Sequence, residues 1–383
     1  MKSRYSLSQL FHDLHLWLGL GTGLIAFLLC LSGTLLVLQN PVEQWVNREV
    51  LTVTPQGSPQ ALETLIPKIQ AETGSTFSSI TLPAEANGAL QLQEGRKTTY
   101  VNPYTGTVLG QIHAPTRDFF MFWFRLHRWL LFDTSIGRPI TGAATVMFIV
   151  ICVTGLWLWL KQAQKQMRRS LLLKRNVSWK RLNFDLHVVL GFYALIPLVV
   201  MAISGLFWSY RAPFVATTHL LLNGKPAPVQ EKEPEGDKNA KPITALPYAQ
   251  LLQQVHQRYP YTGIVQIRFP VKPEQPVSLT KTNQSHFWSI PSRDQLSLNA
   301  KTGQVVKEKP FASLSRAEKV LGLIKAIHIG TIFSGVSLWI YGLAAAIGTS
   351  LPITGTLYWW NRTRKKSRPD PIPRRSESQT LVS

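Results

Sequence analysis

Cysteine is almost missing from this chain. Cys30 and Cys152 are the only two in 383 residues, and both sit in apolar runs. Neither a disulfide framework nor cysteine metal chemistry is implied, and small packing residues are the simpler reading. Acidic residues are scarce as well, 20 against 41 lysines and arginines, for a formal net charge of +21. The short basic segments contain no G-x-G-x-x-G after a strand and no P-loop, so the chain brings no nicotinamide or flavin domain of its own. Charge of either sign is almost absent from four long stretches.

Those stretches are Leu14–Leu38, Ile140–Leu160, Val188–Tyr210 and Val336–Trp360. A hydrocarbon core of about 30 Å needs ~20 helical residues, so each can span a bilayer. A wholly soluble protein is excluded. The first stretch is too long for a cleaved signal and has no small-x-small exit site. Leu29 before Cys30 also argues against a lipoprotein site.

The placement of the basic residues gives the orientation and argues against nucleic acid. Lys161–Arg181 holds eight Lys/Arg and no acid; Arg362–Arg375 holds seven against Asp370; Lys2 and Arg4 open the chain. All three segments lie on one side of a four-span topology. Residues Pro41–Arg117 carry five basic and six acidic residues. The positive-inside rule then places both termini in the cytoplasm and both long loops outside. Anionic lipid suffices to attract the basic runs.

The chain repeats itself. HDLHLWLGL returns as FDLHVVLGF, which sets His15 against His187 at an offset of 172. The same offset relates Asp13 to Asp185, Gly19 to Gly191, Ser32-Gly33 to Ser204-Gly205 and Pro41 to Pro213. Further on, His127 matches His328 at an offset of 201, and Thr154-Gly155 matches Thr354-Gly355 at 200. Each unit reads as span, outer domain, short segment with a histidine, span.

The outer domains also correspond. Ser58–Glu72 reads as a helix, followed by strands near Phe77–Leu82, Ala89–Gln93 and Thr98–Val101. Pro247–Arg258 reads as a second helix, followed by Gly263–Phe269, Val277–Thr282 and Gln295–Leu298. Both end in turns with Asn and Thr-Gly (Asn102, Thr105-Gly106; Asn299, Thr302-Gly303), where Gly supplies a positive φ. Gly224–Pro242, rich in Pro, Glu and Lys, predicts a disordered linker. The expected fold is a polytopic α-helical membrane protein with four spans, an internal two-fold repeat and two α+β modules outside.

The expected boundaries are a first span at 12–40, an outer module at 41–117, and an interfacial helix with the second span at 118–160. A basic cytoplasmic loop follows at 161–186, then the third span at 187–211 and a second outer module at 212–318. An interfacial helix with the fourth span occupies 319–361, and a cytoplasmic tail 362–383.

A strand entering an N-x-x-T-G turn after a single helix resembles the PepSY domain. Two such modules on four spans, with H-x-x-x-G opening the odd spans, resemble the PepSY-associated transmembrane family over residues 10–362. Within it, the chain looks like the FoxB-like inner-membrane ferric siderophore reductases. That resemblance implies a bacterial inner membrane, periplasmic PepSY-like modules, two haem b groups and a ferric siderophore as electron acceptor.

Four of the nine histidines have a repeat partner. A pseudo-two-fold axis along the membrane normal would pair His15 with His187 near the cytoplasmic face and His127 with His328 near the outer face. Opposed imidazoles can fill both axial positions of a haem iron. The alternative is satisfied polar residues that hold two halves together. Gly19 and Gly191 lie four residues after His15 and His187, on the same helical face; they leave room for a porphyrin edge or permit close helix packing. Asp13 and Asp185 face away from the following histidines, so a helix-start role fits them better than support of an imidazole.

Arg128 and Arg211, with Arg125, Arg138, Lys325, Trp123 and Trp129, are expected near the outer boundary. They are candidates for pairing with haem propionates or for anchoring helices at the interface. His12, His113, His219, His256 and His286 read as surface or loop residues. The electron donor is left among a quinol, a reduced flavin and a separate reductase. A non-enzymatic PepSY protein that restrains an outer partner, a reductase of another acceptor, and a transporter stay as alternatives. The lack of charge near the span centres weighs against the last.

Overall fold

The computed structural model describes residues 5–95, 97–174, 176–228, 246–270, 272, 275–283 and 290–364. Most of the expected linker, His286 and the tail beyond Arg364 lie outside the described residues.

Helix α1 (Leu7–Val37) opens on a reciprocal cap, with Gln9 N donating to Ser6 Oγ and Ser6 N to Gln9 Oε1. Pro41 cannot donate to the Val37 carbonyl, and the helix breaks there. The chain continues as α2 (Gln39–Val46) and the single turn α3 (Arg48–Leu51). Helix α4 (Leu62–Thr73) comes next, and beyond a stretch of strands follow α5 (Ala114–Trp129) and α6 (Thr134–Leu171).

The third span starts earlier than its apolar block. Helix α7 (Trp179–Asp185) passes through a π-turn at Leu186–Leu190 into α8 (Gly191–Ser209). Helix α9 (Arg211–Asn223) follows, then α10 (Tyr248–Arg258), α11 (Arg316–Ile329) and α12 (Ser334–Thr363). Four helical stretches are long and apolar enough to cross a membrane: Leu7–Val46, Thr134–Arg168, Trp179–Ser209 and Gly335–Thr363. The chain is a multi-pass membrane protein.

The expected basic loop at 161–186 is mostly helix, because α6 runs to Leu171 and α7 begins at Trp179. Lys and Arg are good helix formers, so the helix continues past the apolar zone, with a kink at Gln166 where φ is −152° and ψ 65°.

The strands of the two expected modules join in a single sheet. Strands β1 (Ser79–Leu82), β2 (Leu90–Glu94), β3 (Lys97–Val101) and β4 (Val108–Gly110) come from the first segment. Strands β5 (Gly263–Arg268), β6 (Val277–Asn283), β7 (Arg293–Leu298) and β8 (Val305–Lys309) come from the second. The order is β4-β3-β2-β1-β5-β6-β7-β8, and every neighbouring pair is antiparallel.

At the seam Ile80 faces Ile267, with Ser79 opposite Arg268 and Leu82 opposite Val265. Each of these isoleucines stands three residues before a proline, Pro83 or Pro270. Pairing β1 with β5 removes the two edges that separate modules would expose.

Helices α4 and α10 share one apolar core with the sheet, including Leu65, Ile69, Ile80, Leu92, Leu251, Ile267, Leu279 and Leu298. The Ala249 N–H donates to the Glu63 carboxylate at 2.6 Å, which ties the two helices. The Asn turns form as expected. Asn102 Oδ1 accepts from Tyr104 N and Asn299 Oδ1 from Lys301 N, while Gly106 and Gly303 have φ of 73° and 72°.

A polar knot closes the β6–β8 end. Tyr261 Oη donates to Asp294 Oδ2 at 2.5 Å, Lys281 Nζ donates to the Tyr259 carbonyl at 2.6 Å, and Phe311 N donates to Asp294 Oδ1. Burial and then the bond to Asp294 raise the Tyr261 pKa above its ordinary value of 10. A raised folded-state value contributes stability that is whole below about pH 10 and is lost as pH climbs through the folded value. We expect thermal melts of the sheet to fall on the alkaline side. Tyr261→Phe should flatten that fall and cost about 1–3 kcal/mol at neutral pH, since it strips a buried carboxylate oxygen of its donor. Circular dichroism melts across the alkaline range check both effects.

Candidate functional site: two facing histidine pairs

His15 and His187 lie on α1 and in the π-turn, and their ring centroids are 6.2 Å apart with planes at 82°. His127 and His328 lie near the ends of α5 and α11, at 6.1 Å and 56°. His15 is fourteen residues before Leu29, and His187 fourteen before Met201, the residues whose carbonyls meet His127 and His328. At ~1.5 Å per residue the two pairs are separated by roughly 21 Å along the spans.

All four rings are held in one way. His15 Nδ1 lies 3.0 Å from the Ile151 carbonyl and 3.3 Å from Thr154 Oγ1. His127 Nδ1 meets the Leu29 carbonyl at 3.0 Å and Ser32 Oγ at 3.1 Å. His328 Nδ1 meets the Met201 carbonyl at 2.9 Å and Ser204 Oγ at 3.0 Å. His187 Nδ1 meets Thr354 Oγ1 at 3.0 Å. A carbonyl can only accept, so in the first three rings Nδ1 carries the proton and donates. Each hydroxyl also donates to its own helix, for example Ser32 to Leu28 O and Thr154 to Val150 O, which leaves its lone pairs for the imidazole. No Nε2 of the four makes a hydrogen bond among the described residues.

After each hydroxyl comes a glycine. A Cβ at Gly155 would stand 2.9 Å from His15 Cε1, and one at Gly355 3.0 Å from His187 Cε1. At Gly205 and Gly33 the distances are 3.2 Å to His328 and 3.3 Å to His127. These Ser/Thr-Gly pairs were visible in the sequence as repeat markers, but nothing there showed that each faces a histidine from another helix.

The other candidates fall differently. A side chain at Gly19 would meet nothing within 4 Å, so space is open beside His15; at Gly191 it would meet Leu351 at 3.5 Å, an ordinary packing contact. Arg128 lies over the Phe124 and Trp129 rings, close enough to Arg138 for the two guanidiniums to repel. Arg211 is exposed and lies over Phe207. Neither Arg128 nor Arg211 forms an ion pair among the described residues. The indole N–H groups of Trp123, Trp129 and Trp157 are buried without a partner among the described residues. Among the described residues no three His, Cys, Asp or Glu side chains form a metal group, so each pair offers two ligands only.

Two expectations are corrected. Asp13 and Asp185 do not start helices, since α1 begins at Leu7 and α7 at Trp179. Asp13 instead bonds Tyr5 and His12 at the surface, while Asp185 is buried against Arg181 at 2.8 Å. His219 is not a surface residue: it is buried on α9, with Nδ1 on the Asn223 amide.

The family described as PepSY-associated TM region matches residues 12–362, both histidine pairs and the sheet included. The chain belongs to that family. No curated protein matches it. In this PepSY-associated protein the histidines come from α1, α5, the π-turn and α11, while the residues that grip them come from α6, α1, α12 and α8.

Proposed function

We propose that this PepSY-associated protein is a di-haem electron carrier that reduces a periplasmic ferric siderophore with electrons from the cytoplasmic side. The observation that carries the reading is the pair of matched imidazole couples, one towards each end of the spans. Imidazole nitrogens about 2.0–2.1 Å from a shared metal ion would leave the two ring centres no more than roughly 6.5 Å apart. The spacings of 6.2 and 6.1 Å lie within that limit in both couples. The donor set also fits, being neutral imidazoles with Nε2 unused and with space beside Gly19.

His15 and His187 would hold one haem b, and His127 and His328 the other. Haem supplies a one-electron ferric/ferrous couple when bound. The protein's own part is to fix the rings, keep carboxylates away from them and offer Arg128, Arg211 and the outer indoles to propionates. Both termini lie in the cytoplasm of a bacterium, the sheet lies in the periplasm, and the two halves are related by a two-fold axis along the membrane normal. A quinol, a reduced flavin or a separate reductase feeds the inner pair. Hard oxygen donors hold ferric iron far better than ferrous, so reduction loosens the chelate and releases iron for uptake.

Protein purified from haem-replete cells should show an intense Soret band and the sharp reduced bands of six-coordinate haem, with two haems per chain. A folded but colourless preparation would end the reading. With haem present, a ferrous trap supplied with reductant and a ferric siderophore tests the acceptor; turnover of other acceptors alone would redirect it.

A further inference from the structure

We propose that the four Ser/Thr-Gly pairs are positioning elements that set each histidine ring for its partner. They are Ser32-Gly33, Thr154-Gly155, Ser204-Gly205 and Thr354-Gly355. The inference rests on the haem reading for its purpose, but its geometry is independent of it.

The grip has three parts. A helix carbonyl and the hydroxyl three residues on, as with Ile151 and Thr154 or Leu29 and Ser32, take the Nδ1 proton. That fixes the tautomer and leaves Nε2 as the only basic nitrogen. The glycine one residue later lets the Cε1 edge lie against the helix backbone, where any Cβ would push the ring outward. A ring displaced by a few tenths of an ångström misaligns its Nε2 with the opposite one, because the couple has little slack at about 6 Å.

The grip always crosses between elements. Helix α6 holds the ring of α1, α1 that of α5, α12 that of the π-turn, and α8 that of α11. Helix α1 therefore gives His15 to the inner couple while its Ser32-Gly33 serves the outer one.

Substitutions at the glycines should accordingly sort by layer and not by sequence neighbourhood. In protein purified in nanodiscs, Gly155→Ala and Gly355→Ala should lower inner-haem occupancy several-fold and shift its low-spin EPR signal. The outer signal should stay in place. Gly33→Ala and Gly205→Ala should do the reverse and more mildly, since their clearances are larger. Thr154→Val should shift the inner signal, and Thr154→Ser should restore it. Retention of the opposite haem certifies that each variant is folded.

Gly155→Ala and Gly33→Ala disturbing the same haem, or neither, would overturn the proposal. Nitrogen-15 NMR of labelled histidines supplies the second readout. Protonated Nδ1 on His15 is expected whether or not haem is bound, and Thr154→Val should keep the proton donated to the Ile151 carbonyl but shift its resonance; Nδ1 lacking its proton in the parent protein would sink the inference. Absence of haem from the parent protein would sink the functional reading instead.

Discussion

If the protein carries the two proposed haems, alanine at His15 should leave one of them, the haem proposed for His127 and His328. The same result is expected for His187→Ala, and the mirror result for His127→Ala and His328→Ala. The argument is one of distance. Partners within a couple stand about 6 Å apart, whereas the couples are separated by roughly 21 Å of helix, too far for one ring to serve both. Loss of one of the two imidazoles that would hold a haem should remove most of the cofactor at that layer, because the remaining imidazole has no neighbour to take its place. Among the described residues no third His, Cys, Asp or Glu stands ready beside either couple. Haem content by pyridine haemochrome, with EPR to identify the survivor, measures this directly. Equal loss of both haems from every variant, in protein whose sheet still melts cooperatively, would contradict the two-layer arrangement.

The second large effect is expected at the seam of the sheet. Ile80 and Ile267 face one another there and are fully buried. Ile80→Ala should cost about 2–5 kcal/mol, the usual range for removing a large aliphatic side chain from a core that cannot collapse. Ile267→Ala should cost a similar amount. The double variant should deviate from the sum, since the two side chains share one site. The outer haem signal should survive in these variants, because His127 and His328 are anchored to span carbonyls and not to the strands. Denaturant melts of the sheet, followed alongside the optical spectrum, separate the two responses.

Much of this architecture can be read from residues because a bilayer demands long uncharged runs, and four are present. The repeat brings the histidines to attention for a similar reason: His, Gly and Pro at constant offsets are rare by chance. Other features leave no such trace. Strand β8 carries Val305 to Lys309 with no buried residue, so no alternation marks it, and β4 has only three residues. The seam between β1 and β5 is made by backbone hydrogen bonds, which any sequence can supply. The grip on the imidazoles joins residues 95 to 167 positions apart, and Gly155 looks the same in sequence whether it faces a helix or a ring. Gly191 shows the converse, since its spacing from His187 matches that of Gly19 from His15 although Leu351 fills the space beside it.

The register at the seam has a consequence for the isolated halves. Ser79 opposes Arg268 and Thr81 opposes Gln266, so each position on β1 meets its reflected counterpart about Ile80 and Ile267. A fragment ending after α6 would leave β1 uncovered, and the best complement for that strand is β1 of an identical fragment turned through half a circle. Such fragments should close on themselves as discrete dimers and not grow into fibres, because the operation that joins them is its own inverse.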